Sequence, residues 1–579
     1  MAVNPARGDS APDAVVVGAG HNGLVAANLL ADAGWDVVVC EATEHIGGAT
    51  RSGSVTAPGY TSDLFSAFYP LAAASPILAA LDLENHGLRW SHAPDVLAHV
   101  LPDGRCAVLS RDLDRTVESV SSFAEPDGAA FRTMVAQWQQ IEPHVLQTLF
   151  RPFPPVRPAA ALARSLGMAG AARLTRMALQ PVRRFGEEWF EGDGARILFA
   201  GNAMHADISP DGAGSAVYGW LMTMLGQTHG FPVPVGGAGR LSDALTHRLI
   251  AGGGTVRTHA PVERVLLREG TAVGVRLKSG ERIHARRAVL ADVNAPELYG
   301  SLLSAVDLPP RFLQDMKNFQ WDTPTLKIDW ALAGPVPWQA QGPRRAGTVQ
   351  LGVDVDGLTT YSAALAKREI PREPFILFGQ MSTADASRSP EGTESAWAYT
   401  HLPIRDHLTE DDIDRHVTLV EQTIQRHAPG FTDLILARYV QSPTRLAREN
   451  PNLRHGAING GTAQLHQQLI FRPTVGLGGA ATPIDRLFLA GSSAHPGGGV
   501  HGGPGSNAAR AALGRAGWTG PLKRAVTSAL LTRLYRSEQT RDTNPIPRID
   551  RADLAPRGRA DQPFESSARG RLNSTTALD

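Results

Sequence analysis

The chain has 579 residues, of which 42% are hydrophobic and 19% charged, and its 56 basic residues balance its 56 acidic ones. This length predicts two or more domains with ample core, and zero net charge gives no reason to expect nucleic-acid binding. The two cysteines, Cys40 and Cys106, form no CxxC pair. That argues against dithiol redox catalysis and against a disulfide-stapled secreted protein, so each is expected to be a small apolar residue, buried or partly buried.

The first predicted unit is a strand, a tight turn and a helix. Residues 14–17 are an apolar run of buried-strand type, and apolar residues recur at helical spacing through residues 24–31. Between them Gly18, Gly20 and Gly23 stand in GxGxxG spacing. The first glycine permits the turn, the second lets backbone approach a pyrophosphate, and the third lets helix and strand pack closely. The unit predicts a dinucleotide-binding loop whose helix N-terminus offers amides to the phosphates.

A second predicted strand, residues 35–40, ends at Glu41. A carboxylate there accepts hydrogen bonds from a ribose diol and repels a 2′-phosphate, which argues against NADP. The alternative, an ordinary strand–helix turn, leaves Glu41 unexplained. A glycine pair, Gly47 and Gly48, follows and predicts a second backbone approach to the cofactor.

With this glycine pair the chain resembles the FAD-binding superfamily that includes phytoene desaturases, carotenoid isomerases and flavin amine oxidases. In those proteins the paired-glycine segment lies along the extended FAD, so the resemblance implies FAD as the cofactor. Many members have arginine directly after the pair, whereas here Ala49 and Thr50 intervene before Arg51. The resemblance extends the cofactor-binding role to Arg51.

Residues 157–190 form a basic segment rich in alanine and leucine. One interpretation is an interfacial helix that admits an apolar substrate from a membrane, which would give the protein a peripheral membrane contact. The other is a lid or an ordinary surface helix, favoured because Gly167, Gly170 and Pro181 interrupt the segment.

The middle of the chain predicts a return to the first domain. Residues 236–239 are glycine-rich and precede a helix with one apolar face, and strand-like runs follow around Val256 and over residues 262–267, 273–277 and 288–291. The residues alone indicate an α/β unit with a β-meander. The resemblance implies that the strand near Val262 lies beside the adenine.

The next stretch predicts a second domain. Apolar and polar residues alternate over residues 323–332, as in a half-buried strand, and further strands are expected at 375–378 and 396–402. Thr409 and Asp412 have capping-box spacing, which predicts a helix. The resemblance implies a substrate domain, a sheet backed by helices, placed over the flavin ring.

A second glycine-rich loop, residues 491–505, lies between a predicted strand at 485–490 and an alanine-rich helix at 507–513. So few side chains let backbone approach a flat ring, and the helix start favours an anionic reduced flavin. A strand ending in Ala-Gly before His-Pro-Gly-Gly-Gly resembles the phytoene desaturase-like pattern, most of all the branch called pyridine nucleotide-disulphide oxidoreductase domain-containing protein 2. The bracketing strand and helix disfavour a flexible linker. The predicted ring contacts are Gly491, Gly498, Gly499 and Val500.

Two histidines of this loop, His495 and His501, are the candidate catalytic residues, because they can exchange protons with substrate or reduced flavin. A structural role, hydrogen bonding to loop backbone, is the alternative for both. His205 and His401 are further candidates, although each is more typical of a core or turn histidine.

These features predict an α/β protein in which a Rossmann-type FAD-binding domain is interleaved with an α+β substrate domain. The boundaries are 13–70, 225–300 and 470–519 for the first domain and 71–224 and 301–469 for the second. Residues 520–579 are expected to form a C-terminal helix and a disordered tail.

The leading functional prediction is an FAD-dependent oxidoreductase that dehydrogenates an apolar polyene or lipid-like substrate, with oxygen or a quinone as electron acceptor. One alternative is a flavin amine oxidase with Lys327 near the ring, although a solvated strand face is the favoured place for Lys327. Another is a flavin-binding regulatory protein with vestigial catalysis. A single dinucleotide fingerprint disfavours an NAD-dependent dehydrogenase, and no metal-site spacing is present. Neither residues 1–12 nor residues 14–40 form a signal peptide or membrane span, so a cytoplasmic location is expected.

Overall fold

The computed structural model describes residues 11–405 and 408–535. Its strands are β1 (Ala14–Val17), β2 (Val37–Cys40), β3 (Ser52–Gly53), β4 (Ser62–Asp63), β5 (Trp90–Ser91), β6 (Asp95–Val100), β7 (Cys106–Leu109), β8 (Val233–Pro234), β9 (Thr255–Arg257), β10 (Val262–Arg268), β11 (Thr271–Leu277), β12 (Arg282–His284), β13 (Ala288–Ala291), β14 (Thr325–Leu332), β15 (Ala346–Leu351), β16 (Ile376–Gln380), β17 (Glu394–His401), β18 (Ile435–Gln441) and β19 (Leu487–Leu489).

Its helices are α1 (His21–Asp32), α2 (Pro70–Ala73), α3 (Pro76–Ala79), α4 (Leu113–Ser121), α5 (Glu125–Leu149), α6 (Val156–Leu179), α7 (Val182–Trp189), α8 (Asp193–Ala203), α9 (Ser215–His229), α10 (Gly239–Ala251), α11 (Ala295–Glu297), α12 (Pro310–Met316), α13 (Val355–Ala366), α14 (Met381–Ala384), α15 (Glu410–His427), α16 (Pro443–Glu449), α17 (Gly503–Ala516) and α18 (Gly520–Tyr535). Short 3₁₀ turns and one π-helical turn at residues 298–302 join several of them.

A parallel sheet in the order β19-β13-β1-β2-β9 carries both glycine-rich loops at strand ends. Its strands are continuous apolar runs because both faces are covered. Val16 packs with α1 residues such as Leu24, and Val15 packs on the opposite side with residues such as Val289 and Leu298. A three-stranded antiparallel sheet, β10-β11-β12, contributes Val265 and Val275 to the hydrophobic cluster that contains Val15.

A seven-stranded mixed sheet runs in the order β18-β14-β17-β16-β15-β6-β7, antiparallel except between β15 and β6. The predicted half-buried alternation over residues 323–332 is wrong, because every residue of β14 is buried. That strand lies inside the sheet, between β18 and β17, and both of its faces are covered by other side chains.

Several local predictions are confirmed. Thr409 and Asp412 form the capping box that begins α15, and α10 follows the glycine-rich residues 236–239. The last glycine-rich loop leads into α17, which begins at Gly503 rather than at residue 507. The predicted C-terminal helix is α18, whereas the tail predicted to be disordered lies outside the described residues.

The α/β fold class is confirmed, with a parallel sheet and a larger mixed sheet. The parallel sheet takes its strands from segments 13–70, 225–300 and 470–519, and the mixed sheet takes its strands from segments 71–224 and 301–469. The boundaries themselves stay a prediction, since the described residues through Tyr535 form one compact unit. Among the residues described, no helix has the length and apolarity needed to span a bilayer.

Candidate active site

The first glycine-rich loop packs closely against the start of helix α1. Gly18 has φ +95°, and α1 begins three residues later with an extended N-cap at Gly20. A Cβ on Gly23 would lie 2.3 Å from the Gly18 carbonyl oxygen. Only glycine therefore fits the third position, where helix and loop are in contact. The Gly47 amide donates to the Ala19 carbonyl at 2.7 Å, so the glycine pair lies directly against this loop.

Asp292 is a site residue that the sequence did not reveal. It follows β13, and its Oδ2 accepts a hydrogen bond of 2.8 Å from the Gly23 amide at the N-terminus of α1. A Cβ on Gly20 would lie 2.5 Å from the same oxygen. Burial raises the pKa of Asp292 to about 7, and the charge of Glu41 acts in the same direction. The carboxyl group is therefore only partly ionised near neutral pH.

Glu41 contacts the first loop, whereas Arg51 contacts residues outside it. Glu41 Oε2 accepts from the Ala19 amide at 2.9 Å, and Oε1 accepts from the Thr43 amide. Arg51 lies over the Phe65 ring at 5.0 Å and donates to the Glu449 carbonyl. Burial lowers the pKa of Arg51, and its Nε is buried with no partner in the described part of the chain.

The two glycine-rich loops share one cavity of about 220 Å³, named here the loop cavity. Gly20 and Gly48 line it from the N-terminal part, and Gly491, Gly499 and Val500 line it from the C-terminal part. Gly505 of α17 also packs on α1, where its Cβ would lie 2.0 Å from the Asn22 carbonyl oxygen. Segments almost 500 residues apart thus form opposite walls of one site.

A second cavity of about 230 Å³, named here the apolar cavity, adjoins the first. The two cavities have Phe68, Asn459, Gly499 and Val500 in common. The polar side chains in its wall are largely satisfied by the protein itself: Tyr69 hydroxyl donates to the Ser66 carbonyl, and Tyr218 hydroxyl donates to the Ala463 carbonyl. The surface presented inside is therefore mainly apolar, and it includes Leu71, Leu149, Leu221, Met222 and Phe231.

Arg472, also missed from the sequence, joins the walls of the apolar cavity. Its side chain is 1% exposed and donates to the carbonyls of Asn459, Thr462 and Ser492, at 3.0, 3.0 and 2.7 Å. Burial lowers the pKa of Arg472 to about 10. These bonds tie the segment around Asn459 to the start of the second glycine-rich loop.

Arg472→Met is expected to lower the free energy of unfolding by about 3 kcal/mol, because several buried carbonyls lose their donor. Urea unfolding measures the change. Arg510→Met, which removes an exposed arginine of α17, is the matched control and should change stability little. Equal stability of the two variants would show that Arg472 does not hold the loops together.

The histidines of the second loop are bound to backbone. His501 Nδ1 accepts from the Gly503 amide, and Nε2 donates to the Gly498 carbonyl at 3.1 Å. Burial lowers the pKa of His501 to about 3. His495 Nε2 donates to the Arg151 carbonyl, burial lowers its pKa to about 4, and it lies outside the lining of both cavities. This geometry favours the structural alternative for both residues.

The remaining predicted residues are spread around the two cavities. Gly498 lines the apolar cavity, and its Cβ would lie 2.7 Å from the Asn459 carbonyl oxygen. Val262 begins β10, two residues after Ala260, whose amide donates to the Glu41 carbonyl, so it lies on the Glu41 side of the loop. His205 lines the apolar cavity, and burial lowers its pKa to about 4. His401 instead pairs with Asp207 at 2.7 Å.

Lys327 does not lie on a solvated face. Its side chain is 4% exposed, forms an ion pair with Asp329, and lies 5.9 Å from the Trp397 ring. It lines neither the loop cavity nor the apolar cavity. The cysteines are also unsuited to thiol chemistry, because burial raises the pKa of Cys40 to about 11 and that of Cys106 to about 12.

Comparison with protein families gives a match over residues 23–512 to the model described as flavin containing amine oxidoreductase. The chain belongs to this family. The amine oxidoreductase family consists of flavin-dependent oxidoreductases, so the protein is an enzyme of that kind, and the predicted kinship is confirmed.

Two curated relatives of this amine oxidoreductase family member cover most of its length. Pyridine nucleotide-disulfide oxidoreductase domain-containing protein 2 of Rattus norvegicus is 29% identical over 86% of this chain and 92% of its own. A limonene dehydrogenase subunit of Castellaniella defragrans is 25% identical over 88% and 96%. A crystal structure of an oxidoreductase from Methanosarcina mazei has the same fold, with a TM-score of 0.57, 16% identity, and coverage of 86% of this chain and 99% of that one.

Proposed function

We propose that this protein is an FAD-dependent oxidoreductase that dehydrogenates an apolar, polyene or lipid-like substrate, with oxygen or a quinone as the final acceptor. The observation that carries the proposal is the apolar cavity, which shares the wall residues Phe68, Asn459, Gly499 and Val500 with the loop cavity. The relative from Castellaniella defragrans has an apolar hydrocarbon, limonene, in its name, which supports the substrate class.

The residues of the loop cavity fit FAD. Its first wall is the first glycine-rich loop, and we expect backbone amides at the start of α1 to bind the phosphates. His21 Nε2 and Asn22 Oδ1, in the lining of this cavity, are buried without partners in the described residues, as expected of groups that hold a polar cofactor. We expect Glu41, which contacts the first loop at Ala19, to accept hydrogen bonds from the ribose diol. Gly499 and Val500 form part of the wall shared with the apolar cavity.

In this site a bound flavin supplies a two-electron acceptor. The protein's own part is to place an apolar carbon chain beside it and to exclude water. Leu221, Met222 and Phe231 bind the apolar substrate through dispersion and burial of apolar surface. Arg472 holds the segment at Thr462 to the second glycine-rich loop at Ser492. His501, held by backbone on both nitrogens, fixes the shape of the loop between Gly498 and Gly503.

The amine oxidase alternative predicts Lys327 near the flavin ring. Lys327 instead forms a buried ion pair and lines neither cavity. No carboxylate is present in the apolar cavity lining to hold an ammonium group. An apolar substrate is therefore preferred over an amine for this chain.

The test is anaerobic bleaching of the FAD-reconstituted enzyme with a panel of terpenes, carotenoids and long-chain lipids and a panel of primary amines. We expect bleaching by apolar compounds. Met222→Asp, which puts a carboxylate into the apolar cavity, should slow bleaching on the order of 100-fold while flavin content stays constant. Val306→Asp, at a position that is 90% exposed, is the control. Bleaching by amines alone would overturn the proposed substrate class.

A further inference from the structure

The chain as a whole is neutral, but its charge is unevenly distributed. Residues 151–186 contain seven arginines and no acidic residue, and residues 450–535 contain seven arginines and one lysine against the single carboxylate Asp485. Asp485 is itself paired with Arg515 at 2.8 Å. Arg176, Arg183 and Arg184 of the first segment form ion pairs with Glu188, Asp211 and Glu187. The positive charge of that segment without an acidic partner among the described residues therefore lies at its other arginines.

The first of these segments contains α6, two helical stretches that meet at a kink at Gly167, where φ is +65°, and α6 has no buried residue. Leu162, Leu166, Leu174 and Met177 pack partly against the core, so one side of the helix is held to the protein. The other side is free: Met168 is 92% exposed. Exposed arginines with no acidic partner among the described residues accompany it, at Arg157, Arg164 and Arg173.

The second segment ends in α18, which shows an exposed apolar stripe at intervals of four residues: Leu522, Val526, Leu530 and Leu534. Lys523 and Arg533 stand on the same helix, and Trp518, just before it, is 95% exposed. An exposed apolar stripe flanked by cations and tryptophan is typical of a helix at the surface of an anionic bilayer.

Contacts in the structure join the two helices into one surface. Leu534 lies against Gly476, where a Cβ would be 2.5 Å from its Cδ1, and the Gly476 amide donates to the Ile470 carbonyl. Ile470 lies against Gly478, whose carbonyl accepts from the Phe153 amide, three residues before α6 begins. Between the helices the exposed apolar side chains continue through Leu469, Ile470, Phe471 and Val475.

This surface lies on the outside of the apolar cavity. Gln468 and Arg472 line the cavity, whereas Leu469, Ile470 and Phe471 between them are 39–45% exposed. Leu149 also lines the cavity, seven residues before α6.

We infer that α6, residues 469–475 and α18 form a docking surface for an anionic lipid bilayer. Charge identifies the occupant: Arg157, Arg164 and Arg173 of α6 and Lys523 and Arg533 of α18 are exposed, and they complement acidic lipid headgroups. The exposed leucines, valines and Trp518 enter the headgroup region. This inference goes beyond the proposed function, because it concerns no step of the reaction.

The test is sedimentation of the full-length protein with vesicles of phosphatidylcholine alone and with vesicles that also contain phosphatidylserine. We expect at least about tenfold tighter binding to the anionic vesicles, lost as salt is raised from about 0.1 M to about 0.5 M. Vesicle binding needs no turnover, so its failure would leave the proposed function standing, and the reverse also holds.

Variants separate charge from apolar contact. Replacing Arg157, Arg164 and Arg173 with glutamate should weaken anionic vesicle binding on the order of 100-fold, whereas Leu522→Ser with Val526→Ser should weaken binding to both vesicle types. The matched control replaces three exposed arginines of the small antiparallel sheet, Arg264, Arg268 and Arg282, with glutamate and should bind normally. Circular dichroism checks the fold of each variant.

No binding, binding indifferent to lipid charge, or equal binding by all variants would overturn the inference. Self-association that the α18 variant abolishes, measured by light scattering, would assign the surface to a second copy of the chain. Vesicle binding that appears only after residues 536–579 are removed would assign it to that segment instead.

Discussion

Replacing Gly23 with alanine is expected to abolish retention of the flavin. The new Cβ would lie 2.3 Å from the Gly18 carbonyl oxygen and 3.0 Å from Asp292 Cβ. Neither atom is the free end of a flexible side chain, so helix α1 must move away from the loop. A displacement that costs about 3 kcal/mol weakens binding on the order of 100-fold.

The measurement is the 450-nm absorbance of the purified variant with a fluorescence titration by added FAD. Gly300→Ala is the control, because Gly300 is exposed and a Cβ there meets no atom within 4 Å. A Gly23→Ala protein that binds FAD as tightly as the control would show that the first glycine-rich loop does not bind FAD.

Asp292→Asn is expected to make FAD affinity independent of pH. In the wild-type protein the carboxyl group lies at the start of α1, where the phosphates are expected, and its pKa is raised to about 7. A bound pyrophosphate adds negative charge next to it and favours its protonated form. Wild-type affinity should therefore fall above about pH 7, by about tenfold per pH unit.

The free energy of unfolding should also fall as pH rises, as the FAD affinity does. The pKa of Asp292 is raised from 3.8 to about 7, so its contribution to folding is fully present below pH 4 and is lost as pH rises to 7. Asn keeps an oxygen to accept from the Gly23 amide and carries no charge. FAD titrations between about pH 6 and pH 9 test the effect on affinity, and urea unfolding between about pH 5 and pH 7 tests the effect on stability.

Titration of nearby histidines does not contribute to the pH dependence of FAD affinity between about pH 6 and pH 9. Burial lowers the pKa of His21 to about 4 and that of His501 to about 3, so both stay neutral throughout the range. The matched control is Asp13→Asn, which removes a buried carboxylate at the other end of β1. Wild-type binding that does not vary with pH, or an equal pH dependence in Asp292→Asn, would show that Asp292 does not face the cofactor.

The local units could be predicted from the sequence because each has a local cause. The apolar run of β1, the glycines and the apolar face of α1 lie within twenty residues, and β19 and α17 bracket the second loop in the same way. The capping box at Thr409 is equally local. Each depends on spacing along the chain rather than on the tertiary fold.

The residues that sequence reasoning missed are placed by topology. Asp292 meets Gly23 across 269 residues because β13 pairs with β1 in the parallel sheet. Arg472 has no acidic partner nearby in the sequence, and its partners are carbonyls of a folded loop. The prediction of a solvated strand face for Lys327 is wrong for the same reason, since the position of β14 inside the mixed sheet buries both faces of the strand.

The central claim is that one FAD extends from the first glycine-rich loop to the second. A crystal structure of the protein grown with FAD tests it most directly. We expect the diphosphate at Gly18 to Gly23 and the isoalloxazine ring beside Gly499 and Val500, next to the apolar cavity. A ring bound away from residues 498–500, or a diphosphate away from the start of α1, would contradict it.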